Sequence, residues 1–342
     1  MQLAQPAPAT DTPANDLGAS PYRLLALVAD KLAATEEVFH RHLSSDVPFI
    51  AEAGRYIGEG GGKRVRPALL LLCSRLLGHD SEEEVTYAAV VELIHTATLI
   101  HDDIIDFAPL RRGRPSVHQL WDNHKTVLLG DWIYTTSMKM ALTHGRVEVI
   151  RRLCDATLRM TEGELLVLSR LGAPDLTVDE YFDIIDRKTA HLFSAACAVP
   201  SLIPPVRAES SAVLERFGRR LGLCFQLVDD LLDFTAREDE IGKPALSDLK
   251  EGKLTLPLLL LLPRLDARRR RSIEHVLEDR GFHRTAPEEI LELVAAEGTT
   301  EEVEEIARGH AEAARRELAH FPPSDARDAL LSAPDFVLHR RS

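Results

Sequence analysis

Two aspartate clusters constrain this chain more than anything else in it: Asp102-Asp103-Ile104-Ile105-Asp106 and Asp229-Asp230-Leu231-Leu232-Asp233. Each ends a long apolar stretch patterned at 3.6 residues, so each is predicted to lie on a helix. An α-helix advances about 100° per residue, which puts carboxylates at i and i+4 on one face. Asp102 therefore shares a face with Asp106, and Asp229 with Asp233. Like charges stacked this way destabilise a helix. A chain that does it twice has a cation to bind, and hard oxygen ligands suit Mg2+ better than zinc.

The rest of the pattern is helical as well. Helices are predicted over 81–105, 124–143, 146–171, 178–199, 209–236 and most of the chain beyond 253, with Gly and Pro clusters between them. No alternating strand stands out. The expected fold is an all-α, single-domain bundle over 21–342, with the two aspartate helices facing each other across a central cavity. Residues 1–20, rich in Ala, Pro, Thr and Asp, read as a disordered tail with no signal sequence. The apolar run from Leu254 to Leu262 is interrupted by Thr255 and Pro257 and is too short to span a bilayer. The net charge of -13 argues against nucleic acid as a partner. Four scattered cysteines, without C-x-x-C spacing, read as reduced, buried helix residues of a cytoplasmic protein.

On the first aspartate helix, His95 falls at about 20° from Asp102, Asp106 at about 40° and Thr98 at about -40°. A polar stripe thus runs down a helix whose other positions are Leu and Ile, and buried carboxylates need partners. Basic segments lie near both clusters. Gly60 to Pro67 is a glycine turn that runs into Lys63, Arg64 and Arg66 at a helix start, a place suited to anions. Arg111-Arg112-Gly113-Arg114 comes after the first cluster, and guanidinium forks match phosphate oxygens. Lys188-Thr189 sits in a helix otherwise set to pack. Gly242-Lys243-Pro244 and the stretch Asp248 to Lys253 come after the second cluster. Acids interleaved with cations suit a diphosphate bridged by Mg2+.

With these motifs in hand, the chain closely resembles the trans-isoprenyl diphosphate synthases, or polyprenyl synthetases, from about Leu24 onward. The carriers are G-G-K-R-V-R-P (61–67), H-T-A-T-L-I-H-D-D-I-I-D (95–106), R-R-G (111–113), G-D-W (130–132), G-E-L-L (163–166), K-T-A (188–190), F-Q-L-V-D-D-L-L-D (225–233) and D-L-K-E-G-K-L-T-L-P (248–257). The resemblance implies a homodimer that condenses isopentenyl diphosphate with an allylic diphosphate, such as farnesyl or geranylgeranyl diphosphate, using Mg2+. It implies that Asp102 and Asp106 bind the metal with Asp103 in support. Asp229 and Asp233 bind it on the opposite wall, with Asp230 nearby. Arg111, Lys188, Thr189, Gln226 and Lys243 contact the allylic substrate. Lys63, Arg66, His95 and Arg112 hold isopentenyl diphosphate, and Lys253 helps close over both.

In such enzymes, bulk at the fifth and fourth positions before the first aspartate blocks the product pocket. Here these are Ala97 and Thr98, both small, with Ile94 one turn deeper. One turn, about 5.4 Å, is roughly the reach of one isoprene unit. The open wall therefore points to a long product of the octaprenyl, heptaprenyl or solanesyl kind, as for a quinone side chain. A shorter farnesyl or geranylgeranyl product is the alternative if a floor lies deeper, around Ile133 to Met140. The chain departs from long-chain relatives at Val167, where Gln is usual, and at Leu246, where Gly is common. A nearly insoluble product makes peripheral membrane contact an expectation.

Overall fold

The computed structural model describes residues 25–235 and 245–339. The predicted tail, Lys243 and residues 340–342 lie outside these residues. In chain order the elements are α1 (Ala29–His42), α2 (Pro48–Glu59), α3 (Val65–Leu76), α4 (Glu83–Ile105), the strands β1 (Leu110–Arg111) and β2 (Arg114–Pro115), α5 (Val117–Trp121), α6 (Asn123–Ala141), α7 (Val147–Arg170) and α8 (Val178–Ile185). A π-helical turn (Asp186–Ala190) leads into α9 (His191–Ala198). The chain continues with α10 (Ala208–Thr235), α11 (Ser247–Lys250), α12 (Leu256–Leu261), α13 (Ala267–Asp279), α14 (Pro287–Glu297), α15 (Thr299–Leu318) and α16 (Asp325–Leu338).

The fold is the expected all-α bundle. Several helix starts are written in the sequence. Pro48 and Pro287 sit in the first turns of α2 and α14, where the missing N–H costs nothing. Thr177 and Glu180 form a capping box for α8. Helix α4 is buried along most of its length and packs against α1, α3 and α6, while α10 packs against α9 and α15. One apolar core joins them, with Leu69, Leu70, Leu93, Ile94, Phe193 and Phe217 fully buried. Gly218 and Gly222 let α10 approach closely. A Cβ on Gly218 would stand 2.5 Å from the Phe193 carbonyl oxygen, and one on Gly222 2.6 Å from Ala190 Cα.

Three features depart from expectation. The segment after the first aspartate cluster forms an antiparallel hairpin, Leu110 opposite Pro115 and Arg111 opposite Arg114. Two residues per strand are too few to show alternation. The turn residues Arg112 and Gly113 both have positive φ, 54° and 72°, as a type I′ hairpin turn requires. Helix 178–199 is broken in register by the π turn. Cys154 is exposed, unlike the other three cysteines, and it lies beside Leu158 and Leu165 on an apolar stripe of α7. Among the described residues no helix is long and apolar enough to cross a membrane.

Candidate active site

The first wall is the C-terminal end of α4. A helix C-terminus is already the negative end of the macrodipole, and Asp102 and Asp106 add two carboxylates to it. Two ammonium groups answer them. Lys253 Nζ donates to Asp106 at 2.9 Å and to Glu251 at 2.8 Å, and Lys188 Nζ stands 3.7 Å from Asp102 while pairing closely with Glu164. Burial pushes the Asp102 carboxyl up to about 6; Lys188 opposes the shift, and Glu164 and Asp106 add to it. Asp103, about 100° further round, is buried and accepts from Arg111 Nε at 2.9 Å and from its Nη2. Asp103 therefore holds the hairpin arginine in place, and the helix wheel explains why it leaves the Asp102–Asp106 face.

The second wall is α10. Here the three aspartates divide. Asp229 is exposed. Asp230 is buried and accepts from Tyr181 Oη at 2.5 Å and from Gln226 Nε2 at 2.8 Å. Burial takes its carboxyl up to about 7, against the pull of these two hydrogen bonds and with the help of Asp229 and Asp233. Asp233 accepts from Ser247 N at 2.9 Å, Ser247 Oγ at 2.7 Å and Asp248 N at 3.2 Å. It ties α10 to the start of α11, so its carboxylate oxygens cap that turn. Asp229 and Asp233 share a face of α10, and the tertiary fold gives them different surroundings.

The π turn joins the two walls. A π bulge inserts one residue into a helix and is common at functional sites. It aims Lys188 at Asp102 and Glu164, while Thr189 Oγ1 donates to Gln226 Oε1 at 2.7 Å. Helix α7 presses on this turn at Gly163, where a Cβ would meet Lys188 N at 2.7 Å, which real Cβ atoms essentially never do. Gly163→Ala is expected to lose about 1–3 kcal/mol of stability by overpacking and to displace Lys188. Denaturant melts and a KM for the allylic substrate measure the two effects.

The basic segments gather beside α4. His95 is held well below its ordinary value by burial and then by Arg66, Arg112, Arg111 and Arg64, so it is a neutral imidazole in a cationic corner. The Arg66 guanidinium lies over the Phe193 ring, 4.4 Å from its centroid. Arg112 Nη1 donates to the Gly61 carbonyl, tying the hairpin to the glycine turn. Lys63 is exposed on that turn. Arg64 leaves the group: it pairs with Glu36 and, at 2.6 Å, with Glu92. Ile94 and Ala97 are buried on α4, and Thr98 is half-buried.

Sequence reasoning missed Glu164, Tyr181 and Asp248. Asp248 is pushed well up by burial and then by Asp233 and Asp230. Glu164 is part of the G-E-L-L motif and Asp248 opens the D-L-K-E-G-K motif after the second cluster, so both could have been found there; nothing in the sequence marked Tyr181 as a partner of that cluster. Among the described residues no three acidic, His or Cys side chains converge into a ready-made metal cage.

The polyprenyl synthetase family pattern matches residues 47–294. The octaprenyl diphosphate synthase of Escherichia coli (strain K12) is 36% identical over 314 residues, 92% of this chain and 97% of that one. A short chain isoprenyl diphosphate synthase of Methanothermobacter thermautotrophicus is 35% identical over 295 residues, 85% of this chain and 90% of its own. The crystal structure of a polyprenyl synthase from Caulobacter crescentus, complexed with calcium and isoprenyl diphosphate, superposes with a TM-score of 0.89 at 34% identity, over 94% of this chain and 98% of that one. With the match spanning most of its length, the chain belongs to the polyprenyl synthetase family and is a prenyltransferase.

Proposed function

We propose that this enzyme condenses isopentenyl diphosphate head to tail with an allylic diphosphate, in the presence of Mg2+, and makes a long all-trans polyprenyl diphosphate for a quinone side chain. The observation that carries this reading is the pair of aspartate walls, with lysines on the first and arginines gathered beside it. Mg2+ usually binds through one or two carboxylates plus phosphate oxygens. Asp102, Asp106 and Asp229 fit that role, with Asp233 second to them because of its hydrogen bonds to Ser247 and Asp248. Ammonium groups already lie against Asp102 and Asp106, which marks both carboxylates as cation seats. When bound, the metal helps neutralise the departing diphosphate.

This chain's residues supply the rest. Lys188, Lys253 and Arg111, with Lys243, bind the allylic diphosphate. Lys63, Arg66, Arg112 and His95 bind the diphosphate of isopentenyl diphosphate and orient its double bond. The Thr189 hydroxyl donates its hydrogen bond to Gln226, and the Gln226 amide donates to Asp230. That chain leaves oxygen lone pairs of Thr189 free to face the allylic cation as it forms. The released diphosphate takes the final proton, so no dedicated base is required. Water exclusion protects the cation.

Relatives of nearly equal identity carry names of different product length, so the length reading rests on small Ala97 and Thr98. A homodimer is the expected assembly. The adjoining faces of α6 and α7 leave Leu128, Leu158 and Leu165 exposed by 65%, 58% and 61%, a stripe that a second copy would cover. Cytoplasmic placement with peripheral membrane contact completes the proposal. The test is product length. Purified enzyme is incubated with Mg2+, labelled isopentenyl diphosphate and farnesyl diphosphate, and the dephosphorylated alcohols are separated. A ladder reaching about seven units or more, one unit per roughly 5.4 Å turn, supports the reading; a stop at about three or four leaves prenyl transfer standing and removes the long product.

A further inference from the structure

We propose that a groove on the outer side of the π turn is a second binding site, for a small molecule bearing a phosphate group, and that its occupancy is transmitted to Lys188 and Thr189. The groove encloses about 440 Å3, a volume typical of small-molecule sites. Its cationic wall is one face of α10, where Arg216, Arg219 and Arg220 stand at i, i+3 and i+4. Like charges at this spacing destabilise a helix, and guanidinium forks match phosphate geometry.

Two of the three arginines have counter-ions. Arg219 pairs with Asp186 through bonds of 2.5 and 2.7 Å, and Arg216 with Glu317 at 2.9 Å. Arg220 has no carboxylate partner among the described residues. Asp183, on the opposite rim, is taken up by Arg187 at 2.8 Å. The groove thus carries one uncompensated positive charge. Its apolar side is Leu223 with the stacked rings of Phe182 and His310, 6.1 Å apart and inclined by 29°. His310 Nδ1 is buried and has no hydrogen-bond partner among the described residues. Burial, and next Arg220, hold this imidazole down to about 4, so it is neutral and lines the groove as an uncharged ring. Cation forks above and an apolar ring stack beside them together describe a receptor for an aryl or similarly compact phosphate.

The coupling arises at Asp186, which opens the π turn and is gripped by Arg219 and, at 3.4 Å, by His191. A phosphate arriving at Arg219 competes with Asp186. Two and three residues onward on the same turn, Lys188 and Thr189 face the other way, into the catalytic chamber. This part rests on the reading that those two residues serve the allylic substrate; the site itself does not.

The test is calorimetric titration of the full-length enzyme in EDTA with phenyl phosphate and, separately, inorganic phosphate. One phenyl phosphate per chain is expected, bound more tightly than inorganic phosphate, with affinity falling about tenfold or more in Arg220→Gln and Arg220→Glu. Both variants should keep turnover within about two-fold when no phenyl phosphate is present, because Arg220 is exposed. No saturable binding, or binding undiminished in both variants, overturns the site. Hydrogen exchange across 186–190 should change with phenyl phosphate in the parent enzyme and not in Arg220→Glu; unchanged exchange with ligand bound overturns the coupling. Neither readout depends on turnover, so failure here is distinct from failure of the proposed prenyl transfer, which the product ladder reports.

Discussion

Asp102→Asn and Asp229→Asn are each expected to reduce turnover by about a hundredfold to a thousandfold or more, the range for losing one preorganised stabiliser of transition-state charge. The fold should survive, and Asp102→Asn should melt higher than the parent in metal-free buffer. Asp102 is half-buried at a helix C-terminus, with its carboxyl raised by desolvation to about 6 from the usual 3.8. A carboxyl raised in the folded state favours folding when protonated, so stability is lost as pH rises from about 4 through about 6. At neutral pH the charged form costs on the order of 3 kcal/mol, which asparagine avoids. Thermal melts at pH 7.5 and single-turnover assays over a Mg2+ titration check both halves. In the parent enzyme, activity at fixed low Mg2+ should fall below about pH 6 and recover with more Mg2+, since proton and metal compete for one carboxylate. Near-normal turnover in either variant would mean that the metal seats lie elsewhere.

Thr98→Phe is expected to shift the product from a ladder of seven or more isoprene units to one ending at about three or four, with one helical turn answering to roughly one unit. Thr98 lies one turn before Asp102, on the same face of α4, and is half-buried. Its hydroxyl donates to the His95 carbonyl of its own helix, at 2.8 Å, so its loss should cost little stability, about 0.5–1.5 kcal/mol. A phenyl ring there projects under the allylic site and meets the growing tail. The initial rate of the first condensation should change far less than the product distribution, because the aspartates and the diphosphate cations are untouched. An unaltered ladder would place the tail on another face, and small Ala97 and Thr98 would then say nothing about length.

The helix pattern made α4 and α10 legible, because a 3.6 period over more than twenty residues has few alternative readings. The face shared by Asp102 and Asp106 came from helix geometry alone. Whether aspartates on one face act alike did not. Asp233 and Asp229 share a face, yet Ser247, fourteen residues further on, takes Asp233 for a cap. Asp103 and Asp230 likewise found partners on other elements, Arg111 and Tyr181. Local periodicity says which way a side chain points and is silent on what the tertiary fold brings to it. The same gap accounts for Arg64, which reads as one of three phosphate cations and is instead paired with Glu36 and Glu92. The hairpin escaped because its strands are two residues each. The π turn escaped because one inserted residue leaves the hydrophobic pattern of 178–199 nearly intact.

That inserted residue makes the enzyme's chemistry and its architecture separable in the gene. Removing a single codon between Asp186 and Ala190 would restore an unbroken α-helix, the commoner and locally less strained backbone. It would also leave one residue fewer in the turn that faces the chamber, so that Lys188 and Thr189 could not both keep their outlook on Asp102 and Gln226. The regular helix is thus the inert form, and the irregular one has to be maintained by selection for turnover. A lineage released from that selection has a short route to a helical descendant that binds and scaffolds but no longer makes product.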